Sequence, residues 1–511
     1  MPHRDELPGE LQTCPTLIAM MRRNASLYPE KTAFIGNEVR ISHQELYQQS
    51  TALGGYLLEI GLDPGDRVGL LLEKSIEAIV SFLGVACAGG VVFPLDYFQT
   101  VAHLHYVVDL TQPFSIITQE KFRPLLTQMN LPFPPTRIIS IDGPQTADAT
   151  VSVWDRILAG GPFDSIGANL QADDVVYLNF TSGTTGMPKG AITTHANIYW
   201  NTRSAVEVLK LREDDIHICM FPVFLHPHEL FARTLYLGGT SVLVDGISPK
   251  AIVKAINQHN VTCFMAIGSI YETLTRQYEI SPFQLHSLRV PESGGMHLYS
   301  ALINRFEEYF GIPIFPVWGS TETSGISLAT SVEGHNRPGS MGKVCPYYEV
   351  KLIGKDGQEL PPDRVGEMLV RGPAVCREYY NNPVETAKNM KDGWFYTGDL
   401  VRRDSDNHFY FADRKARMMK VAGMKVYPVE IEELLTAHPD IAEASVVKVR
   451  DRVHGELPKA FVVSRNGQEL DKNLLRKYCE EKLSKYKVPR VFEFVHELPK
   501  SPGGKILWQK L

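Results

Sequence analysis

The residues best suited to chemistry form one short segment, residues 181–190 (TSGTTGMPKG), directly after a β-branched run at residues 175–180. Its three glycines allow the backbone to turn tightly and to bring its N–H groups close to a ligand. Four hydroxyl groups and the amine of Lys189 add hydrogen-bond donors and one positive charge. Such a loop suits a polyphosphate, although it lacks the Gly-Lys-Ser/Thr ending of a Walker A motif. A flexible loop without a ligand is the alternative.

Five further segments follow in order, and they are residues 293–298 (SGGMHL), 318–323 (WGSTET), 396–400 (YTGDL), 413–432 (DRKARMMKVAGMKVYPVEIE) and 499–505 (PKSPGGK). With all six segments, the chain resembles the adenylate-forming superfamily of acyl-CoA synthetases, luciferases and peptide-synthetase adenylation domains. The resemblance extends over nearly the whole chain. It implies a two-step reaction: a carboxylate and ATP give an acyl-adenylate and pyrophosphate, and a thiol then takes the acyl group while AMP leaves.

The resemblance also implies where the nucleotide binds. Asp399 would accept hydrogen bonds from the ribose hydroxyls with Arg414 beside it, and Thr321 would offer its hydroxyl to the α-phosphate. Glu322 and Thr185 would supply oxygens to Mg²⁺, which usually binds through one or two carboxylates and phosphate oxygens. The expected nucleotide-binding residues are Thr181, Ser182, Gly183, Thr184, Thr185, Lys189, Gly294, Gly295, Met296, Trp318, Gly319, Ser320, Asp399 and Arg414.

The adenine slot would lie between residues 294–296 on one side and Trp318 on the other, where relatives often carry Tyr. A tryptophan in the core is the alternative for Trp318. By the same resemblance, the mobile Lys505 would bridge the substrate carboxylate and the α-phosphate and steady the negative charge that develops there. The expected catalytic residues are Lys505, Thr321, Glu322 and His226.

Lys505 must be present for adenylation and absent for thiol transfer, so the resemblance implies a small domain that rotates about a hinge. We expect a large domain over residues 1–412, a hinge over 413–416 and a lid over 417–511. Relatives usually have Asp or Lys where this chain has Ala416, which leaves the pivot residue open. The expected hinge and CoA residues are Lys415, Ala416, Gly423, which would border the thiol tunnel, and Lys425, which would contact a phosphate.

The elements that must position these residues follow two patterns. From about residue 15 to 410, short β-branched runs such as 67–72, 175–180 and 241–244 alternate with longer stretches of helical period. This alternation predicts parallel sheets covered by helices. After the basic run at 413–425, a helix opening at Tyr427-Pro428 and strands at 444–449 and 460–463 predict a small α+β domain. The fold class is therefore α/β, with stacked mixed sheets and a mobile lid.

Composition narrows the possible functions. The 511 residues suggest two to four structural units, and 52 basic against 58 acidic residues give a net charge of −6, which disfavours nucleic-acid binding. The last part of the chain, residues 471–511, is instead basic, either as a solvated face or because it faces phosphates. Residues 78–93 form an apolar stretch that approaches the length of a membrane span, but the break at Gly89-Gly90 favours a buried helix followed by a buried strand.

Location and redox state can also be predicted. The first residues, MPHRDELPGELQTCP, lack the order of a secretory signal, so we expect a cytoplasmic protein. Seven scattered cysteines without a CxxC pair predict reduced thiols and no zinc site. The sequence does not reveal an oligomeric state, and a homodimer is one option.

The acyl substrate is inferred from what the pocket segments lack. Amino-acid-activating relatives carry an Asp within the segment aligned with 220–229 (MFPVFLHPHE), where this chain has Phe221 and Phe224 and no acid before Glu229. Acetate-specific relatives carry a Trp at the position of Gly319. We therefore expect an apolar carboxylate larger than acetate, such as a medium-chain fatty acid, benzoate or cyclohexanecarboxylate. The expected pocket residues are Phe224, His226, Ile267, Gly268 and Gly319; whether His226 or His228 gates the pocket stays open.

Two other functions remain alternatives. An acyl-AMP ligase that loads a carrier-protein phosphopantetheine shares every ATP segment and differs in its acceptor. A non-catalytic nucleotide sensor with the same fold is disfavoured, because Lys505, Glu322 and Asp399 are all present. The leading interpretation is an AMP-forming acyl-CoA synthetase that uses ATP, Mg²⁺ and coenzyme A.

Overall fold

The computed structural model describes residues 16–36, 38–143, 153–163, 166–167, 169–181, 188–244, 246–334, 337–451, 455–500 and 506–511. Its α-helices are α1 (Leu17–Leu27), α2 (His43–Glu59), α3 (Ile76–Cys87), α4 (Val101–Thr111), α5 (Arg123–Leu126), α6 (Val153–Ala159), α7 (His195–Leu209), α8 (Ala232–Leu237), α9 (Pro249–His259), α10 (Gly268–Ile280), α11 (Ser300–Phe310), α12 (Pro383–Asn389), α13 (Pro428–Thr436) and α14 (Lys472–Glu480).

The strands are β1 (Thr32–Gly36), β2 (Val39–Ser42), β3 (Arg67–Leu71), β4 (Val91–Pro94), β5 (Ser115–Thr118), β6 (Ile138–Ser140), β7 (Val175–Thr181), β8 (Lys189–Thr194), β9 (Ile216–Cys219), β10 (Thr240–Leu243), β11 (Cys263–Ala266), β12 (Val290–Ser293), β13 (Phe315–Ser320), β14 (Gly325–Ala329), β15 (Lys343–Val344), β16 (Glu349–Ile353), β17 (Val365–Arg371), β18 (Met390–Lys391), β19 (Trp394–Arg403), β20 (Phe409–Arg414), β21 (Met419–Val421), β22 (Met424–Val426), β23 (Ile441–Asp451), β24 (Gly455–Ser464) and β25 (Val491–Phe494).

Two sheets with parallel centres form the large part of the molecule. The first has nine strands in the order β15-β14-β13-β12-β11-β9-β10-β1-β2, and its strands from β13 to β1 run parallel. The second has the order β6-β5-β3-β4-β7-β8, with only β7 and β8 pairing antiparallel. Strand orders that are not sequential require crossover connections, and helices supply them.

Helix α3 packs between these two sheets. Phe82 of α3 contacts Tyr177 of β7 on one side, with ring centroids 5.5 Å apart, and Phe231 beside α8 on the other, at 4.9 Å. Every residue of α3 except Glu77 is buried. A helix covered on all sides can be apolar on all sides, which explains the apolar stretch at 78–93 and confirms the predicted buried helix and strand. Within the described ranges, no helix has the length and apolar composition to cross a bilayer.

Two antiparallel assemblies follow along the chain. The third sheet has the order β16-β17-β19-β18 with β20 paired to β19, and the fourth has β22-β21-β24-β23 with β25 paired parallel to β24. The fourth sheet packs with α13 and α14 around its own buried cluster. This arrangement confirms the predicted fold class, a large α/β region followed by a small α+β domain. Pairing changes from the third to the fourth sheet between Arg414 and Met419, which is where the hinge was expected.

Candidate active site

The carboxyl ends of the parallel strands in the nine-stranded sheet gather four of the predicted segments. The segment 220–229 follows β9, Ile267-Gly268 follows β11, residues 294–296 follow β12, and Thr321-Glu322 follow β13. Because these strands are parallel neighbours, their carboxyl ends lie at one edge of the sheet. Ligands of open α/β sheets bind outside this edge, so the structure brings these four segments together where a ligand is expected.

The predicted phosphate loop joins β7 to β8 in the six-stranded sheet. Thr181 at its start and Lys189 at its end pair as opposite residues of the two strands, while residues 182–187, with Ser182, Gly183, Thr184 and Thr185, lie outside the described residues, as does Lys505. The amine of Lys189 forms an ion pair with Glu385 of α12, and this contact lowers the pKa of the Glu385 carboxyl. Glu385 lies outside the six segments and carries no sequence signal of this contact.

A tight turn after β13 presents Thr321 and Glu322. The carbonyl of Glu322 accepts from the backbone N–H of Cys376 at 2.8 Å, and the carbonyl of Thr323 accepts from the hydroxyl of Tyr348 at 2.8 Å. The Thr323 hydroxyl closes the turn by donating to the carbonyl of Gly325 at 2.6 Å. The turn is therefore held by donors from several segments, which leaves the Thr321 and Glu322 side chains partly exposed at the sheet edge.

Among the described residues, the Glu322 carboxylate has one hydrogen-bond partner, the hydroxyl of Tyr379, which donates to Oε1 at 2.7 Å. Burial, and then the nearby Glu322 charge, raise the pKa of Tyr379, so it stays a donor. The ring of Tyr379 also lies 5.7 Å from the amine of Lys189. Tyr379 therefore joins the phosphate loop to the Glu322 turn, a contact that no spacing in the sequence indicates.

Asp399 is fully buried and lies where three elements meet. Its Oδ2 accepts from the indole N–H of Trp318 at 2.9 Å, and its Oδ1 lies 2.8 Å from Nε of Arg414. Asp399 and Arg414 are opposite residues of β19 and β20. The expected ribose ligand Asp399 thus fixes Trp318, the expected wall of the adenine slot, near the carboxyl end of β13.

Glycines are required at the other side of this slot. A Cβ at Gly294 would lie 2.8 Å from Cγ2 of Val317, and Gly295 has a φ of +81°, a conformation that L residues other than glycine rarely adopt. A Cβ at Gly268 would meet Leu298 at 3.1 Å and Met296 at 4.0 Å. The expected acyl residues Ile267 and Gly268 therefore border the expected adenine wall.

The two histidines of the segment 220–229 differ in their contacts. His228 is buried, and its ring bridges the hydroxyl of Tyr177 at 2.6 Å and the carbonyl of Ser324 at 3.0 Å. His226 is partly exposed, and its Nδ1 accepts from the side-chain amide of Asn179 at 3.4 Å. Burial lowers the pKa of both imidazoles to about 4, so both are neutral near pH 7. Within the part of the chain that the structure describes, only Nδ1 of His226 has a hydrogen-bond partner, whereas both ring nitrogens of His228 have one.

Phe224 packs under an aromatic group that the sequence analysis missed. Its ring lies 5.2 Å from that of Tyr97 and 6.0 Å from that of Phe98, and Tyr97 stacks on Phe122 at 4.8 Å. Phe98 is 64% exposed, which is unusual for a phenylalanine. Tyr97 and Phe98 follow β4 of the six-stranded sheet, whereas Phe224 follows β9 of the nine-stranded sheet, so the expected acyl pocket borders both sheets.

Gly319 does not provide the open space that the sequence analysis expected. A Cβ at this position would lie 2.2 Å from the carbonyl oxygen of Gly325 and 3.0 Å from the backbone nitrogen of Ile326. Its side-chain direction therefore faces the backbone of β14 across the β13–β14 pairing, and a tryptophan cannot enter there without moving that strand. The physical reason for Gly319 is close backbone approach.

The substitution Gly319→Ala is expected to destabilise the protein by about 3 kcal/mol, the upper part of the range for overpacking, because the clash is with backbone. Gly36→Ala in β1 of the same sheet is the matched control, since its Cβ would meet only side-chain carbons at 3.5 Å or more. Urea unfolding of both variants measures the difference. Equal stability of the two variants would contradict this reason for Gly319.

The expected hinge residues divide between the two domains. The backbone N–H of Lys415 donates to the carbonyl of Gly398 in β19 at 2.9 Å, whereas Arg417 forms an ion pair with Glu432 of α13. Ala416 lies between these anchors, with the amine of Lys448 3.3 Å from its carbonyl. Gly423 has a φ of +80° in the exposed tip between β21 and β22, and Lys425 is also exposed. A pivot at Ala416 stays a prediction.

One cluster of metal-type side chains appears among the described residues, formed by Asp215, His217 and Cys263. The sequence spacing did not indicate it. The Asp215 carboxylate accepts from the Thr262 hydroxyl at 2.7 Å and is also paired with the guanidinium of Arg289. A carboxylate already neutralised by a cation makes a poor metal ligand, so this cluster is structural. The described cysteines are all free and buried.

Buried histidines make the large domain sensitive to acid. His43, His195 and His228 are at most 2% exposed, and burial lowers their pKa values to about 4, 3 and 4. In the unfolded chain these imidazoles bind protons below about pH 6.5, whereas in the folded protein they stay neutral until about pH 4. The free energy of unfolding is therefore unaffected above about pH 6.5 and decreases as the pH falls toward 4. At pH 5 each buried histidine should lower the free energy of unfolding by about 2 kcal/mol, and we expect a marked fall in the urea midpoint between pH 7 and 5. His43→Gln should lessen that fall; an unchanged pH dependence would contradict it.

The fold and the convergence of these segments at one sheet edge are those of adenylate-forming enzymes. Residues 21–380 match the family model described as AMP-binding enzyme, and residues 430–505 match the AMP-binding enzyme C-terminal domain. The chain therefore belongs to the AMP-binding enzyme family.

Similar proteins define the type of enzyme more closely. The chain is 31% identical to a long-chain-fatty-acid–CoA ligase of Bacillus subtilis, over 100% of this chain and 96% of that one. It is 30% identical to the crotonobetaine/carnitine–CoA ligase of Escherichia coli, over 95% and 97% of the two chains. Its structure matches ATP-bound MatB of Rhodopseudomonas palustris with a TM-score of 0.89 and 26% identity, over 97% and 98%. The chain is an AMP-forming carboxylate–CoA ligase of the acyl-CoA synthetase type, with ATP and CoA as substrates.

Proposed function

We propose that this enzyme activates an apolar carboxylate larger than acetate and transfers it to CoA, with the nucleotide bound along the edge of the nine-stranded sheet. The observation that carries the nucleotide site is the hydrogen bond from Trp318 to Asp399, since it joins the expected adenine wall and the expected ribose ligand beside the Glu322 turn. The carrier-protein alternative is not favoured, because the similar proteins of known activity named above are CoA ligases.

In the first step, a carboxylate oxygen attacks the α-phosphorus of ATP and the bond to the bridging oxygen of pyrophosphate breaks. Thr321 donates its hydroxyl to the α-phosphate, and Lys189 and Lys505 offset negative charge that develops on the phosphates. Lys189 must leave Glu385 to do so. Glu322 fits Mg²⁺, since its carboxylate is partly exposed and accepts a single hydrogen bond from the described part of the chain; when bound, the ion would neutralise phosphate charge.

In the second step, the lid turns about the region of Ala416 and removes Lys505 from the site. The CoA thiolate attacks the acyl carbon, and the bond from that carbon to the AMP oxygen breaks, so AMP leaves with an oxygen of the original carboxylate. The thiol proton goes to solvent. Gly423 at the exposed β21–β22 tip allows the pantetheine arm to approach closely, and Lys425 beside it offers a cation to a CoA phosphate.

The acyl group would lie between His226 and the aromatic rings around Phe224. With Nδ1 accepting from Asn179, the neutral His226 carries its proton on Nε2 and donates one hydrogen bond without adding charge. Phe224, Tyr97 and Phe98 offer aromatic surface and no cation or anion. This environment supports an apolar chain or ring and disfavours a second charge on the substrate. Cytoplasmic location and a homodimer stay predictions.

The experiment is AMP release from ATP and Mg²⁺ with acetate, hexanoate, decanoate, palmitate, benzoate and cyclohexanecarboxylate, each with and without CoA. We expect CoA-dependent turnover that peaks on one apolar acid larger than acetate. Phe224→Ala should shift the preference toward bulkier acids. The control is Phe283→Ala, whose ring contacts those of Tyr278 and Phe310 of α10 and α11. A peak on acetate, or on a dicarboxylate or amino acid added to the panel, would contradict the proposed substrate class.

A further inference from the structure

His228 joins three parts of the molecule that must keep a fixed arrangement during adenylation. Its side chain is 1% exposed, and its two ring nitrogens contact Tyr177 in β7 and Ser324 directly after the Glu322 turn. Tyr177 lies four residues before the end of β7, where the phosphate loop begins. The imidazole therefore links the six-stranded sheet, which carries the phosphate loop, to the turn that follows β13 of the other sheet.

The partners also decide which nitrogen carries the proton. A backbone carbonyl can only accept a hydrogen bond, so Nε2 of His228 donates to Ser324. The neutral ring then has a lone pair on Nδ1, which accepts from the Tyr177 hydroxyl. Burial lowers the pKa of His228 and raises that of Tyr177, and both shifts preserve this direction of donation. The three groups form one directed chain, Tyr177 to His228 to Ser324.

The carbonyl that receives this bond belongs to a strained turn. Ser324 has a φ of +53°, which is uncommon for a residue other than glycine. The carbonyls of Glu322, Thr323 and Gly325 already accept from Cys376, Tyr348 and Thr323. With the His228 bond, every carbonyl from 322 to 325 is held, so the Glu322 carboxylate and the Thr321 hydroxyl are presented in one orientation.

We propose that His228 is a positioning residue for the adenylation step, acting through the Tyr177–His228–Ser324 bridge to hold Thr321 and Glu322 in register with strand β7. The inference rests on the proposed function of these two residues. Both ring nitrogens of His228 are used within the bridge and none is left for the acyl group, so loss of the bridge acts on the first step of the reaction. Thiolysis, which follows pyrophosphate release, does not need this register.

The test measures pyrophosphate release in the first step and, separately, thiolysis of supplied acyl-adenylate. His228→Ala should lower kcat of adenylation by about 10- to 100-fold, the range found for residues that orient a site through others, and should raise the Mg²⁺ concentration needed for half-maximal rate. The rate of thiolysis should stay within about threefold of the wild-type rate, which is well below the range expected for adenylation. His228→Gln keeps an N–H group for the carbonyl of Ser324 and should recover most of the adenylation rate. The adenylation rate of Tyr177→Phe should lie between those of His228→Ala and His228→Gln.

A matched control separates positioning from stability. His43→Ala also removes a buried histidine bonded to a backbone carbonyl, that of Gly239 at 3.1 Å, and should lower Tm without changing kcat. If His228→Ala does not fold, Tyr177→Phe and His228→Gln carry the test. The proposal is overturned if these variants keep the wild-type kcat and Mg²⁺ dependence, or if both half-reactions fall equally. If the wild-type enzyme releases no pyrophosphate in response to any carboxylic acid substrate, the proposed function is refuted instead.

Discussion

Lys505→Ala is expected to slow acyl-adenylate formation by about 100- to 1000-fold, as the loss of one donor to a developing oxyanion does, while thiolysis of supplied acyl-adenylate continues at nearly the wild-type rate. The amine would meet the charge that builds as the carboxylate attacks phosphorus. In thiolysis that charge is absent and the lid has turned, so the amine has no function in this step.

The comparison requires two assays on one protein preparation. Pyrophosphate release reports the first step, and CoA-dependent AMP release from synthetic acyl-adenylate reports the second. Lys510→Ala, an exposed lysine five residues further along, is the control for loss of positive charge in the same tail. Equal slowing of both steps by Lys505→Ala would refute a role of Lys505 confined to adenylation. Equal effects of Lys505→Ala and Lys510→Ala on adenylation would refute it as well.

Glu322→Gln should reduce adenylation by about 100-fold or more, the scale of removing a group that stabilises transition-state charge. Glutamine has nearly the same shape and can still accept from Tyr379, so the turn should remain intact. What disappears is the negative charge expected to bind Mg²⁺, and the Mg²⁺ concentration for half-maximal rate should rise.

Tyr379→Phe is the complementary variant, since it removes the hydroxyl that orients the carboxylate and keeps the charge. Its effect should be about tenfold or less, in the range for orienting partners of metal ligands. Titration of both variants with Mg²⁺ distinguishes the two contributions. A Glu322→Gln enzyme with the wild-type rate and Mg²⁺ dependence would show that this carboxylate does not serve the metal.

Resemblance to the adenylate-forming superfamily assigned Gly294 and Thr321 to one site in advance, and the structure places them directly after β12 and β13, which are parallel neighbours. The alternation of β-branched runs with stretches of helical period predicted the parallel sheets, and the apolar stretch at 78–93 predicted the buried helix α3. The restart of this alternation after the basic run at 413–425 predicted the small domain.

The sequence could not predict contacts between distant segments. Lys189 pairs with Glu385, 196 residues away, and Tyr177 contacts His228 in the loop of another sheet. Neither charge nor spacing selects one such partner among many. The error at Gly319 has a similar origin, because the direction of a Cβ depends on strand pairing that a motif does not contain. The contacts of the two histidines also depend on distant partners, Asn179 for His226 and Tyr177 for His228.

In the proposed reaction, a carboxylate oxygen attacks the α-phosphorus and later leaves with AMP. Isotope labelling follows this oxygen: the preferred acid is supplied with both carboxylate oxygens as ¹⁸O, together with ATP and CoA, and the products are measured by mass spectrometry. We predict one ¹⁸O atom in AMP, none in pyrophosphate and one in the acyl-CoA carbonyl. Unlabelled AMP, or ADP and phosphate as products, would rule out attack of the carboxylate on the α-phosphorus.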